Sequence, residues 1–250
     1  MENAFIFDLD DTLIYTEYRY NMAKANAVSF ISSIIGRKNS SIRNILDKIE
    51  EIDRCALKSW ERPYAIERFP QSIARAMMQI CSEKNVEYRK EDVEEIARIG
   101  MSAFQTSPED IMPGVEDTLD FLVENGDKMM LITKGDFEFQ MEKVNANGLH
   151  KWFKNSNILV VQQDKSPEVI LEMLRSHGCM DNEHSYSVGN YYRSDIEPAI
   201  EAGIKAVYIP NGSWAHEVVE NSIEKARQTK RAVVLDSIIE IKNKYSELFA

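Results

Sequence analysis

The stretch FIFDLDDTL, Phe5–Leu13, places three aspartates directly behind a short apolar run. That run, with Ala4 in front of it, has the length and composition of a buried strand. Asp8 and Asp10 stand two residues apart, so on a nearly extended strand tip their side chains aim the same way. Two carboxylates held together disfavour ionisation of both unless something positive lies among them. The fold and the chemistry both follow from asking what else arrives at that tip.

Two kinds of periodicity divide the chain. From Thr16 to about Asp110 apolar residues recur at three- and four-residue steps, as in Ile42, Ile45, Ile49 and Ile52, and again in Ile73, Met77 and Ile80. Both stripes read as the core of a helical bundle. After Pro113-Gly114 short apolar runs alternate with amphipathic helices. The runs are MMLIT (Met129–Thr133), ILVV (Ile158–Val161), YSVG (Tyr186–Gly189), KAVYI (Lys205–Ile209) and AVVL (Ala232–Leu235). Helix-like segments between them include Glu138–Asn147, Pro167–His177 and Ser194–Ala202. This pattern predicts a doubly wound, mostly parallel α/β sheet of Rossmann-like form covered on both faces. Residues 1–15 and 111–250 make that core, and residues 16–110 make an inserted α-helical domain.

Composition narrows the function. The chain has 250 residues, 44% hydrophobic and 28% charged, with a formal net charge of -11. Such an acidic balance argues against a general nucleic-acid binder, which needs a basic face. Cys55, Cys81 and Cys179 are far apart and form no C-x-x-C pair, so neither a disulfide framework nor a zinc cage is expected. No apolar stretch approaches the length that spans a bilayer, and no basic leader opens the sequence. A cytoplasmic protein without a membrane partner is the expectation; composition is silent on oligomeric state.

Ligands of an open parallel sheet collect beyond the carboxyl ends of its strands. There the sequence puts Asp8, Asp10, Asp11 and Thr12 after the first strand, and Thr133-Lys134-Gly135 after the second. Asp164-Lys165-Ser166-Pro167 follows the third, and Gly189-Asn190 with Ser194-Asp195 follows the fourth. Carboxylates, a hydroxyl, an ammonium and an amide behind apolar strands mark a site. A hard divalent cation with oxygen ligands suits it, magnesium above all, since that ion takes one or two carboxylates, waters and a substrate phosphate. Ser166 and Pro167 read as an N-cap and first helical position, which fixes where Lys165 lies.

The D-x-D-x-T of Asp8, Asp10 and Thr12, the Thr133 after its strand, Lys165 before a helix and the G-N-x-x-x-x-D from Gly189 to Asp195 together resemble the haloacid dehalogenase-like hydrolases. The resemblance covers the whole α/β core in order, and the helical insertion resembles that superfamily's cap. It implies that Asp8 is a nucleophile forming an aspartyl-phosphate, and that Asp10 protonates the leaving alkoxide and then activates water. Asp10 must then be protonated at the first step, so its neighbours are expected to raise its pKa. Thr133 and Lys165, with backbone N–H groups around Leu9, Asp10 and Lys134, would hold the phosphoryl oxygens. The Lys134 side chain is a further phosphate candidate, against a solvated surface role. Magnesium would be held from among Asp8, Asp10, Asn190 and Asp195.

One position departs from the commoner pattern: Asn190 stands where an aspartate usually follows the glycine, which lowers the expected metal affinity. Dehalogenases of the superfamily lack the second aspartate and use no metal, so Asp10 favours phosphoryl chemistry. The expectation is a magnesium-dependent phosphatase of a small phosphorylated metabolite, with the insertion closing over the cleft on hinges near Thr16 and Asp110. A phosphomutase using the same nucleophile, and a regulatory protein with weak turnover, are the alternatives. Asp11 reads as a loop anchor; His150, His177, His184 and His216 as surface or packing residues, with His216 the one considered for the mouth of the site. Tyr191-Tyr192-Arg193 read as loop packing or substrate contacts, and Glu17, Tyr18 and Tyr20 as residues that could border the cleft.

Overall fold

A computed structural model describes residues 2–36, 38, 41–179, 181–211 and 221–249. Among the described residues six strands form one sheet: β1 (Ala4–Phe7), β2 (Lys128–Lys134), β3 (Ile158–Val161), β4 (Ser185–Gly189), β5 (Lys205–Tyr208) and β6 (Ala232–Val234). Their spatial order is β3-β2-β1-β4-β5-β6, and every neighbouring pair is parallel. Each apolar run of the sequence becomes a strand, within a residue or two of the expected ends. The helices are α1 (Glu17–Ile35), α2 (Ile42–Ser59), α3 (Arg68–Lys84), α4 (Lys90–Met101), α5 (Val115–Glu124), α6 (Phe137–Ala146), α7 (Pro167–Ser176), α8 (Glu197–Glu201), α9 (Ser222–Gln228), α10 (Ile239–Asn243) and α11 (Tyr245–Leu248).

The period of two in the strands sorts the core onto two faces. Phe5 and Phe7 of β1 join Met129, Leu131, Tyr186 and Val188 under α5, whose Val115, Leu119 and Leu122 are fully buried. Ala4 and Ile6 point the other way and meet Met130, Ile132, Ile170 and Leu174 of α7, and Ala199 of α8. Apolar side chains on both faces are what an all-parallel sheet requires. The strand order reverses between β1 and β4, so the switch point at which ligands of such sheets collect is where Asp8 and Gly189 leave the sheet.

The chain divides into two compact units, Met1–Glu17 with Thr106–Ala250, and Tyr18–Gln105. The second unit is helical and has its own core of Ala23, Ala27, Ile31, Ile45, Ile49, Phe69, Ile73, Met77 and Ile96. Ile42 departs from the expected stripe: it is 70% exposed, because it is the first residue of α2, a turn ahead of the buried Ile45. Tyr20 packs on Phe69 and Phe104 inside this unit, with ring centroids 4.9 and 5.5 Å away, partly buried against its core. In the first unit, the passages that leave and re-enter the α/β fold run side by side. Tyr15 N–H donates to Asp110 O at 2.7 Å, and Met112 N–H donates to Leu13 O at 2.9 Å.

The amino ends of the strands are pinned by a polar cluster. Asp127 accepts from the Asn3 backbone N–H at 3.0 Å and from the Tyr245 hydroxyl at 2.5 Å, while the Asn3 amide donates to Tyr245 at 2.7 Å. Burial and the Asp127 hydrogen bond push the Tyr245 hydroxyl up to about 12. These bonds tie β1, β2 and the last helix together. Replacing Asp127 by Ala leaves a buried N–H without its acceptor and costs a part-buried hydroxyl its own, so Asp127→Ala should cost about 2 kcal/mol of unfolding free energy, read as a lowered midpoint in urea with an unchanged slope.

Candidate active site

Asp8 leaves β1 still in register: its N–H donates to Val188 O at 2.9 Å, continuing the β1–β4 ladder by one residue. The chain then turns at Asp11, whose φ of 57° is a left-handed conformation that aspartate tolerates better than most residues. Asp11 Oδ1 accepts from the N–H groups of Thr16 at 2.8 Å and Glu17 at 3.1 Å, so it caps the start of α1. Burial pushes its carboxyl up to about 6, against those two hydrogen bonds. Asp11 is a loop anchor, as the sequence indicated.

Lys165 is the hub. Its Nζ donates to Asp8 Oδ1 at 2.6 Å and to Asp195 Oδ1 at 2.7 Å, with only 3% of its side chain exposed. Burial alone would lower its pKa, but the two carboxylates outweigh that and raise it, so it is a fixed ammonium. Its place is set by Ser166, which caps α7 through Val169 N–H, with Pro167 at the first helical position. The Asp8 carboxyl is pushed up to about 7, chiefly by burial and also by the charges of Asp195 and Asp10, with Lys165 opposing.

Asp195 sits on a single π-helical turn, Tyr192–Ile196, and its Oδ2 accepts from Tyr191 N–H at 2.9 Å. Both of its oxygens are therefore engaged. It also lies so close over Gly189 that a Cβ there would fall 2.3 Å from the carboxylate. Asn190, by contrast, keeps its carbonyl oxygen at the site: the Thr12 hydroxyl lies 3.2 Å from both Asn190 Oδ1 and Asp8 Oδ2. The Asn190 amide donates outward to Asn211 O at 3.1 Å.

Thr133 and Asp10 form a second group. Thr133 is fully buried at the end of β2 and its hydroxyl accepts from Gln140. Gln140 also donates to Asp10 Oδ2 at 2.7 Å, while Lys143 and the Thr16 hydroxyl each donate to Asp10 Oδ1 at 2.6 Å. Burial would raise the Asp10 pKa, yet Lys143 and these hydrogen bonds outweigh it and hold the carboxyl below its ordinary value. This corrects the expectation that its neighbours raise it: the cation that decides the sign comes from α6, where the sequence reading placed none. Lys134 donates to Asp164 Oδ1 at 2.8 Å, an ion pair whose aspartate is exposed.

Gln140 and Lys143 were missed. The available signal was positional: α6 buries Phe139, Gln140, Lys143 and Val144 on one face, so two long polar side chains occupy core-stripe positions directly after a strand end. Of the other residues considered, Tyr192 packs edge-on against Tyr208 at 6.2 Å, and His177 meets Met173 O at 2.8 Å and Ser156 O at 3.1 Å. His216 lies outside the described residues.

Among the described residues no three His, Cys, Asp or Glu side chains stand together as a metal cluster. What the site offers a cation is hard oxygen alone: the Asp8 carboxylate, the Asn190 amide oxygen and the Thr12 hydroxyl between them. That donor set suits magnesium, which completes its shell with water and phosphate, and suits no soft metal.

Residues 39–209 match the family model described as haloacid dehalogenase-like hydrolase, and the chain belongs to that family. It is therefore a hydrolase by family. A comparison with curated proteins finds no match. Among solved structures it is similar to a haloacid dehalogenase-like family hydrolase from Xanthomonas campestris, at 21% identity and a TM-score of 0.75, covering 99% of this chain and 92% of that one. It is also similar to a 2-haloacid dehalogenase from Pseudomonas syringae, at 20% identity and TM-score 0.56, covering 99% of each chain. A HAD phosphatase from Thermococcus onnurineus matches at 16% identity and TM-score 0.58, with 100% of both chains covered. Identities this low establish the shared fold, on which both chemistries occur. Among the described residues no helix is long and apolar enough to cross a membrane.

The tight seat of Asp195 yields a test. Gly189→Ala should force Asp195 off Lys165 and cost about 1–3 kcal/mol by overpacking, seen as a melting temperature lower by roughly 2–10 °C.

Proposed function

We propose that this chain is a magnesium-dependent phosphatase of a small phosphorylated metabolite, working through an aspartyl-phosphate on Asp8. The observation that carries the reading is the pairing of two carboxylates with different surroundings at one strand tip. Asp8 lies against a buried ammonium at 2.6 Å, and Asp10 lies two residues on among proton donors. A dehalogenase of the superfamily would need the first and not the second.

Asp8 attacks phosphorus, and the bond from phosphorus to the ester oxygen breaks as the new one forms. Lys165 offsets the charge of Asp8 and of the phosphoryl group, and its bond to Asp195 holds it from moving toward solvent. The Thr133 hydroxyl, accepting from Gln140, has its own proton left to donate to a phosphoryl oxygen. Asp10 supplies the proton for the leaving alkoxide and takes one from water in the second step. To do so it must acquire a proton despite Lys143, and the negative charge of a bound phosphate nearby acts in that direction. Magnesium, when bound by Asp8 and Asn190, would supply charge neutralisation for the phosphoryl oxygens. These groups recognise only the phosphoryl part of a substrate, so the identity of the metabolite is set outside them. The composition and charge fit a soluble enzyme of small molecules with no nucleic-acid partner.

A phosphate-release screen over sugar phosphates, nucleotides and other small esters tests the reading. Wild type should release phosphate in the presence of magnesium, and Asp8→Asn and excess chelator should each abolish release. An inactive wild type across the panel would favour a binding or regulatory role instead. Because Asn190 contributes one negative charge fewer than aspartate, Asn190→Asp should lower the magnesium concentration for half-activation by roughly tenfold, about 1.4 kcal/mol.

A further inference from the structure

We propose that Gln140 and Lys143 are positioning residues for Asp10, a two-pronged clamp on α6 that ties the proton-donating carboxyl to the Thr133 hydroxyl and so to the seat of the phosphoryl group. The inference rests on the phosphatase reading and adds two residues to it.

The Gln140 side-chain NH2 lies within reach of three acceptors on two strand ends: Asp10 Oδ2 at 2.7 Å, the Lys134 carbonyl at 3.1 Å and the Thr133 hydroxyl. An amide has two protons to give, so all of its donor capacity is spent inside the site. Lys143, three residues along the helix and so on the same face, takes the other Asp10 oxygen at 2.6 Å. Only 8% of its side chain is exposed, and its ammonium also lies 4.5 Å from the Phe139 ring centroid.

Burying an amide and an ammonium on the core face of a helix costs free energy unless each finds partners. Apolar residues at these positions would pack the sheet at no such cost, so the polar pair answers to Asp10 and not to the core. The backbone makes room for it. A Cβ on Gly135 would fall 2.9 Å from both Cγ and Cδ of Gln140, so glycine there is what lets the amide lie over the strand end. Asp136 caps α6 through Phe139 N–H, which fixes where the helix begins and therefore which residues face the strand tip. Thr16 completes the grip from the other side, donating to the oxygen that Lys143 holds.

Held in this way, the Asp10 carboxyl has one orientation relative to Thr133, and its use is proton transfer to the departing oxygen. When the Asp8 oxygen bonds to phosphorus, the ester bond breaks and its electron pair goes to the alkoxide, which takes from Asp10 the proton that this carboxyl takes up from solvent as the negatively charged phosphate binds beside it. An ester with a poor leaving group depends on that proton; a 4-nitrophenolate leaves without it.

The test compares kcat/KM for a simple alkyl phosphate and for 4-nitrophenyl phosphate. Gln140→Leu and Lys143→Met should lose about tenfold or more in kcat/KM on the alkyl ester beyond any loss on the nitrophenyl ester. Lys143→Arg should recover part of that difference. Gly135→Ala, which displaces Gln140 without removing a donor, should shift the ratio in the same sense, and carries the test if the first two variants do not fold. Equal losses on both esters, or no loss, overturn the inference while leaving the phosphatase reading intact. A wild type that releases phosphate from neither ester overturns both.

Discussion

A buried ammonium between two carboxylates organises the carboxyl end of this sheet. Lys165 sits at 2.6 and 2.7 Å from Asp8 and Asp195, groups separated from it by more than a hundred and by thirty residues of sequence. Removing a charge from water is costly, and a lone lysine here would shift toward neutrality. Shared between two acids it stays charged, and each acid in turn has a partner. The arrangement holds only if β1, β4 and the start of α7 deliver their ends to one place, so the sheet order and the Ser166 cap are conditions of the electrostatics. Asp195 is the more committed of the two acids, with a backbone N–H on its second oxygen. Asp8 keeps its second oxygen toward the Thr12 hydroxyl.

This division clarifies the replacement of the usual acid by Asn190. Two aspartates, one ammonium and an amide leave the cluster with a single net negative charge before any ligand arrives. The amide oxygen can ligate a cation without adding a charge for Lys165 to balance. Asp10 stands apart from this group with its own counter-charge in Lys143, so the site is built from a Lys165-centred triad and a separate ion pair and not from one acidic patch.

Much of the fold was legible because its signals are local and physical. Every described strand was announced by a run of four or five residues, and the change from helical to alternating pattern at Pro113-Gly114 marked the return to the sheet. Asp8, Thr133, Lys165 and Asp195 were legible from their places behind those runs. The Asp10 environment was not, because its sign depends on Gln140 and Lys143, which lie in a helix whose periodicity reads as ordinary packing. Ile42 shows the converse: periodicity assigns a face to a residue but does not say whether a partner reaches the end of the helix.

The antiparallel passage of Leu13–Tyr15 beside Asp110–Met112 has an entropic corollary. Once the two ends of an excursion are fastened to each other, the entropy of closing it grows only logarithmically, by about 0.6 kcal/mol for each doubling of its length. The sheet is thus nearly insensitive to the size of whatever is spliced in between. Such a seam lets an excursion lengthen or shorten while the strand tips on either side of it keep their places.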